Sequence, residues 1–168
     1  MGLLSFLSEL FGGGDSQKVT WGQAQRGVQS LQARRNANPI EYLTELIGLQ
    51  TDNTSRGGLL TKRAEHYQNS GEHQKAIDDY TEAIEIFRPA NARKGIRGGP
   101  SFEELRGRAK SLEAVGEYFR AIGDYTRMIE QRPDSYDSHV GMGRCYQKAG
   151  YPDDAARFEA RANALRRR

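Results

Sequence analysis

Residues 101–155, SFEELRGRAKSLEAVGEYFRAIGDYTRMIEQRPDSYDSHVGMGRCYQKAGYPDDA, repeat themselves. Ala109, Leu112, Gly116 and Ala121 recur 34 residues later as Gly143, Tyr146, Gly150 and Ala155, with the residue type kept at each place. A third copy lies upstream in Ala64, Tyr67, Gly71, Ala76, Tyr80 and Ala83, offset from the second by 45 residues, so an 11-residue insertion separates the two. A fixed period of this length marks a chain built of stacked units.

Each copy reads as two helices joined by a tight turn. Leu60, Ala64 and Tyr67, then Ala76, Ile77, Tyr80, Ala83, Ile84 and Phe87, keep the spacing of one buried helical face. Gly71, Gly116 and Gly150 fall where a helix must close and turn back, which a left-handed glycine achieves without strain. Small residues at Ala64, Ala76, Ala109, Ala121 and Ala155 let paired helices approach, and Tyr67, Tyr80, Tyr125 and Tyr146 fill the spaces between pairs. Such a pair cannot bury its own apolar face, so stacking is required.

Composition narrows the remaining classes. The chain has 168 residues, 36% hydrophobic and 28% charged, enough for one modest domain with tails. No run approaches about 18 consecutive apolar residues, which excludes a spanning helix but not an interfacial one. The single cysteine, Cys145, rules out an intramolecular disulfide framework and a Cys-rich zinc site, and favours a reducing, cytoplasmic setting. The 25 Lys and Arg against 22 Asp and Glu leave +3, too little to imply nucleic acid.

The repeated residues resemble the tetratricopeptide repeat (TPR) family. The copy at about 57–90 carries Ala64, Tyr67, Gly71, Ala76, Tyr80 and Ala83, with Pro89 one residue late. The copy at about 102–135 carries Ala109, Leu112, Gly116, Ala121, Tyr125 and Pro133, with Met128 in place of alanine. The copy at about 136–168 carries Gly143, Tyr146, Gly150, Ala155 and Ala162, with Glu159 in place of the aromatic. Leu60, Leu105 and His139 stand where the family's tryptophan is common. The resemblance implies a protein-binding scaffold whose first helices line a concave groove. The residues facing it would include Lys62, Glu65, Gln68, Asn69, Arg106, Lys110, Glu113, Arg144, Gln147 and Lys148. Chaperone-binding members hold a terminal carboxylate with basic and amide residues. Thr61, Glu65 and Gly107 occupy several of those places here, which argues against that ligand, while Lys110 and Arg144 suit an acidic peptide.

Upstream, Thr20 and Gln23 make a capping box for a helix to about Arg35, with Trp21, Ala24, Val28 and Leu31 on one face. Asn38, Pro39 and Glu41 start a second helix to about Leu49, with Tyr42, Leu43, Leu46 and Ile47 apolar. The pair reads as a cap over the first repeat, with residues 51–58 as connector. Residues 1–14 read as an amphipathic arm, with Leu3, Leu4, Phe6, Leu7, Leu10 and Phe11 apolar and three glycines after them. No basic region or cleavage site marks a signal peptide, and Phe6 stands where a myristoylation site wants Ser or Thr. The arm either docks to a membrane surface or partner, or folds onto its own core.

The insertion at about 88–101 is basic, through Arg88, Arg93, Lys94 and Arg97. Arg157, Arg161 and Arg166, Arg167 and Arg168 add charge at the C-terminus, where the helix dipole favours cations. Without interleaved aromatics these residues make a poor base-stacking platform, and RNA or another phosphate polymer stands only as an alternative ligand. His66, His73 and His139 are dispersed, and Asp78 and Asp79 read as a solvated face. No catalytic, cofactor or metal site is expected. The expected architecture is all-α: a solenoid of three TPR-like hairpins preceded by a helical pair and an amphipathic arm. The expected function is a non-catalytic adaptor binding a protein partner, or a subunit built permanently into a larger complex.

Overall fold

The computed structural model describes the backbone of residues 21–93 and 101–167, with side chains over 29–88 and 101–167. The arm residues Leu3, Leu4, Phe6, Leu7, Leu10 and Phe11, the basic residues Lys94 and Arg97, and the side chain of Arg93 lie outside them. The regular secondary structure of the described residues is all helical, as the sequence pattern requires. In chain order the helices are α1 (Trp21–Ala37), α2 (Pro39–Leu49), α3 (Asn53–Asn69), α4 (His73–Arg93), α5 (Phe102–Ala114), α6 (Tyr118–Gln131), α7 (Tyr136–Ala149) and α8 (Pro152–Arg166). None is long and apolar enough to cross a membrane.

The chain divides into two compact units between Gln50 and Thr51. In the first, Asn38 caps α2 by accepting from the Glu41 backbone N–H at 3.2 Å through its side-chain oxygen, while its side-chain Nδ2 donates to the Glu41 carboxylate at 2.9 Å. Arg34 clasps Glu45 at 2.9 and 3.0 Å, tying α1 to α2.

In the second unit α3/α4, α5/α6 and α7/α8 form three hairpins. Each turns at a left-handed glycine, Gly71, Gly116 or Gly150, with φ of 81°, 84° and 87°. The closing bonds repeat: Glu72 N to Tyr67 O at 2.8 Å, Glu117 N to Leu112 O at 2.9 Å, and Tyr151 N to Tyr146 O at 2.9 Å. One continuous core runs through all three hairpins, from Ile77 and Ile84 through Leu105, Leu112, Tyr125 and Met128 to Met142 and Cys145. Burial pushes the Cys145 thiol up to about 12, so it serves as a small core residue.

Two boundaries differ from the sequence reading. Residues 53–58, read as connector, are the opening turns of α3: Asp52 caps it by accepting from Ser55 N at 2.7 Å. Gly57 is buried there, and a Cβ on it would lie 2.8 Å from the Phe87 ring. The glycine admits a neighbouring helix rather than breaking its own. At the other end α4 runs past Pro89 to Arg93, so the first part of the insertion is helical.

Asp79, read as solvated, is also corrected: it is buried, while Asp78 is exposed. Arg63 grips Asp79 through two bonds of 2.7 Å, joining α3 to α4. Forty-five residues on, Arg108 grips Asp124 at 2.8 and 2.7 Å and also reaches Thr81 of α4 at 3.1 Å. The corresponding residues of the third hairpin are Met142 and Phe158, both packed in the core. Two hairpins are therefore clamped by a bidentate ion pair and the third by apolar contact. Removing one partner of a buried pair strands a charge, whereas replacing both by packed apolar groups does not. Asp124→Ala should lower stability by about 3–5 kcal/mol, and Arg108→Met with Asp124→Phe should recover more than half of it, read by urea denaturation.

Candidate partner-binding face

The first helices of the three hairpins are fastened directly to one another. Gln68 on α3 donates to the Gly107 carbonyl at 3.0 Å and to Ser111 Oγ at 2.8 Å on α5. Thr61 donates to Glu104 at 2.9 Å across the same pair of helices. Between α5 and α7, Arg144 Nε and Nη2 meet the two oxygens of Glu113 at 2.6 and 2.7 Å. Tyr125 OH donates to Glu113 Oε1 at 2.6 Å. Burial works against the Glu113 charge, but the bonds from Arg144 and Tyr125, with the fields of Arg144 and Lys148, hold its carboxyl below the ordinary value. The Arg144 guanidinium is held more strongly protonated by Glu113. These fasteners make α3, α5 and α7 one continuous polar face.

On that face Lys62, Glu65, Asn69, Lys110, Arg144, Gln147 and Lys148 are exposed, while Gln68 and Arg106 are half-buried. Glu113 is buried and fully engaged, which removes it from the solvent-facing set. Arg106 pairs with Glu103 on its own helix. Arg144 reaches solvent but also neutralises Glu113, so among the described residues of this face Lys62, Lys110 and Lys148 are the cations outside a salt bridge. The Lys148 ammonium lies 5.9 Å from the centroid of the Tyr118 ring.

An opening of about 490 Å³ lies between α7 and α8, lined by Tyr136, Val140, Arg144, Gln147 and Lys148 and by Glu159, Ala162 and Asn163. Sequence reading singled out only Arg144, Gln147 and Lys148 of these for the groove. Tyr136 and Val140 share their stripe at helical spacing, and that period was the available signal.

The other basic residues are dispersed. Arg88 pairs with Glu85 and Arg157 with Asp154, each one turn away, and Arg161, Arg166 and Arg167 are exposed along or beyond α8. His139 is buried, with Nε2 3.0 Å from the Pro133 carbonyl and its ring stacked on Phe158, whereas His66 is exposed. Among the described residues no group of three or more His, Cys, Asp or Glu side chains is placed to hold a metal ion.

Three hairpins with one core, repeated glycine turns and a shared polar face define a helical-repeat solenoid. No family model and no curated protein matches the chain. Solved structures do. A crystal structure of MamA matches at TM-score 0.63 and 17% identity, covering 89% of this chain and 96% of that one. A second MamA structure gives 0.61 at 20% identity, over 83% and 68%. A Podospora anserina putative kinesin light chain with nearly identical TPR-like repeats gives 0.63 at 17% identity, over 86% and 88%. The chain has the TPR fold.

Because the Glu113 carboxyl is held below its ordinary value of 4.5, its contribution to stability is present above that pH and is lost as pH falls through the folded value. Arg144→Met leaves the carboxylate buried without its cation, so burial then favours the protonated form. The variant should lose about 1–3 kcal/mol at about pH 7, and the gap to the parent should narrow by about pH 3.5. Urea midpoints at the two pH values check this; an unchanged gap would contradict it.

Proposed function

We propose that this protein is a non-catalytic adaptor that holds a segment of a partner protein along the face of α3, α5 and α7. One observation carries the reading: the three helices are pinned to each other by Gln68, Thr61 and Glu113, while Lys62, Glu65, Asn69, Lys110, Gln147 and Lys148 on the same face stay exposed. A rigid row of long donors and acceptors suits an extended peptide, whose backbone groups need partners along their length. Lys62, Lys110 and Lys148 favour an acidic segment. The partner is a protein, with no cofactor or metal required. Residues 1–14 supply a second attachment, docking the module to a membrane surface or a larger complex through Leu3, Leu4, Phe6, Leu7, Leu10 and Phe11.

The test compares three baits in native lysate, with membrane and soluble fractions kept apart: the full chain, a deletion of residues 1–14, and Lys110→Glu with Lys148→Glu. Arg144 is left intact, because changing it strands Glu113 and confounds binding with stability. The double variant should keep the parent's helicity and melting temperature yet bind the captured partner roughly ten- to thirtyfold more weakly, with the difference shrinking as salt rises. The deletion should lose the membrane or complex component and keep the groove partner. Equal recovery on all three baits would place recognition elsewhere.

A further inference from the structure

The repeat register runs off both ends of the stack and leaves two unmatched positions. Inside the stack an aromatic on one hairpin's second helix packs where the next hairpin's first helix has a glycine. Tyr80 lies against Gly107 and Tyr125 against Gly141, and a Cβ on either glycine would collide with the ring. Thirty-four residues beyond Tyr125 the aromatic position is Glu159, on α8. Forty-five residues before Gly107 the glycine position is Lys62, on α3. Both side chains are exposed, and neither has an ion-pair partner among the described residues.

The two exchanges are complementary in charge: the ends carry opposite signs, and both side chains are long enough to meet across a seam. Neighbouring register positions agree. Thirty-four residues beyond Arg106, and 79 beyond Thr61, stands Val140. Thr61 meets Glu104 in the next hairpin, and the counterpart of Glu104 on α3 is Leu59, so Val140 would face a leucine. Gln147 stands where Gln68 stands, and Gln68 donates to the Gly107 carbonyl, whose counterpart is the carbonyl of Lys62. Val140, Gln147 and Glu159 all line the opening between α7 and α8, where the first helix of a following hairpin would lie.

We infer that this opening receives α3 of a second copy of the chain, so that copies stack head to tail with Glu159 of one against Lys62 of the next. The surface lies at the ends of the stack and shares Lys62 and Gln147 with the face assigned to the partner segment, so its test is made without a partner. A contact of one helix against one hairpin is small, so the association is weak and grows with concentration.

Sedimentation velocity of the purified full chain, without any partner, tests this across a wide concentration range. The parent should give an open series of species that shrinks as salt rises. Glu159→Lys and Lys62→Glu should each weaken self-association by at least about tenfold, because each sets like charges together. Mixing the two variants should restore it, since every seam in the mixture again joins opposite charges. That recovery could not arise from misfolded chains. A parent that stays monomeric throughout overturns the inference. Association that survives both variants, or that mixing fails to restore, overturns it as well.

Discussion

The stack depends on a tyrosine ring meeting a helix backbone that has no side chain in the way. At Tyr80 on Gly107 and Tyr125 on Gly141, the missing Cβ lets the second helix of one hairpin close on the first helix of the next. Burying a ring of this size contributes on the order of 2 kcal/mol, and its phenol fixes register as well. Burial raises the Tyr80 hydroxyl to about 12, and the Tyr125 hydroxyl donates a hydrogen bond to Glu113. The fasteners of the polar face are built on the same contacts. Gln68 bonds the carbonyl of the glycine that seats Tyr80, and Arg144 bonds the carboxylate that Tyr125 holds. A polar face with fixed spacing follows from an apolar seam.

Within each hairpin the two helices are registered by a different device. The Arg63 and Asp79 pair and the Arg108 and Asp124 pair are both bidentate and mostly shielded, with Asp124 only 4% exposed. Desolvation offsets most of the Coulomb attraction of such pairs, so their net contribution to stability is small. Their geometry still admits one alignment of helix on helix. The third hairpin replaces that constraint with Met142 and Phe158, whose ring stacks on Tyr146 at 5.5 Å between centroids. Arg108 also crosses back to Thr81 and so ties its hairpin to the preceding one.

Features that rest on period and local chemistry were legible in the sequence, and those that rest on a distant neighbour were not. The three left-handed glycines and the Asn38 cap need only their own helix ends. Gly57 and Gly58 carry the ordinary mark of a loop, and Ile86 and Phe87, about thirty residues away, make Gly57 a packing site instead. Asp79 looks like any exposed helix residue until Arg63 is placed against it. The 45-residue offset that joins both Arg and Asp pairs was nonetheless present in the sequence. Glu113 was assigned to the right face, yet its side chain turns inward, because a helical position fixes direction and not what a neighbouring Arg144 will claim. Most of the polar face was therefore readable, while its fasteners could not be separated from its free groups.

The two ends of the stack differ from its interior in charge, and the arrangement of that charge matters more than its presence. An end hairpin with an uncovered apolar seam would aggregate, so a polar substitution at the aromatic or glycine position is what solubility requires. Solubility alone is satisfied by like signs at both ends, or by uncharged polar residues. Opposite signs do something further. Two C-terminal ends brought together oppose Glu159 to Glu159, and two N-terminal ends oppose Lys62 to Lys62, so both symmetric contacts are repelled. Only the head-to-tail contact is attractive, and such a contact does not close on itself after two copies. The same two residues thus fix the direction in which copies can add, leaving Glu65, Asn69 and Lys110 of each polar face along the side of the array.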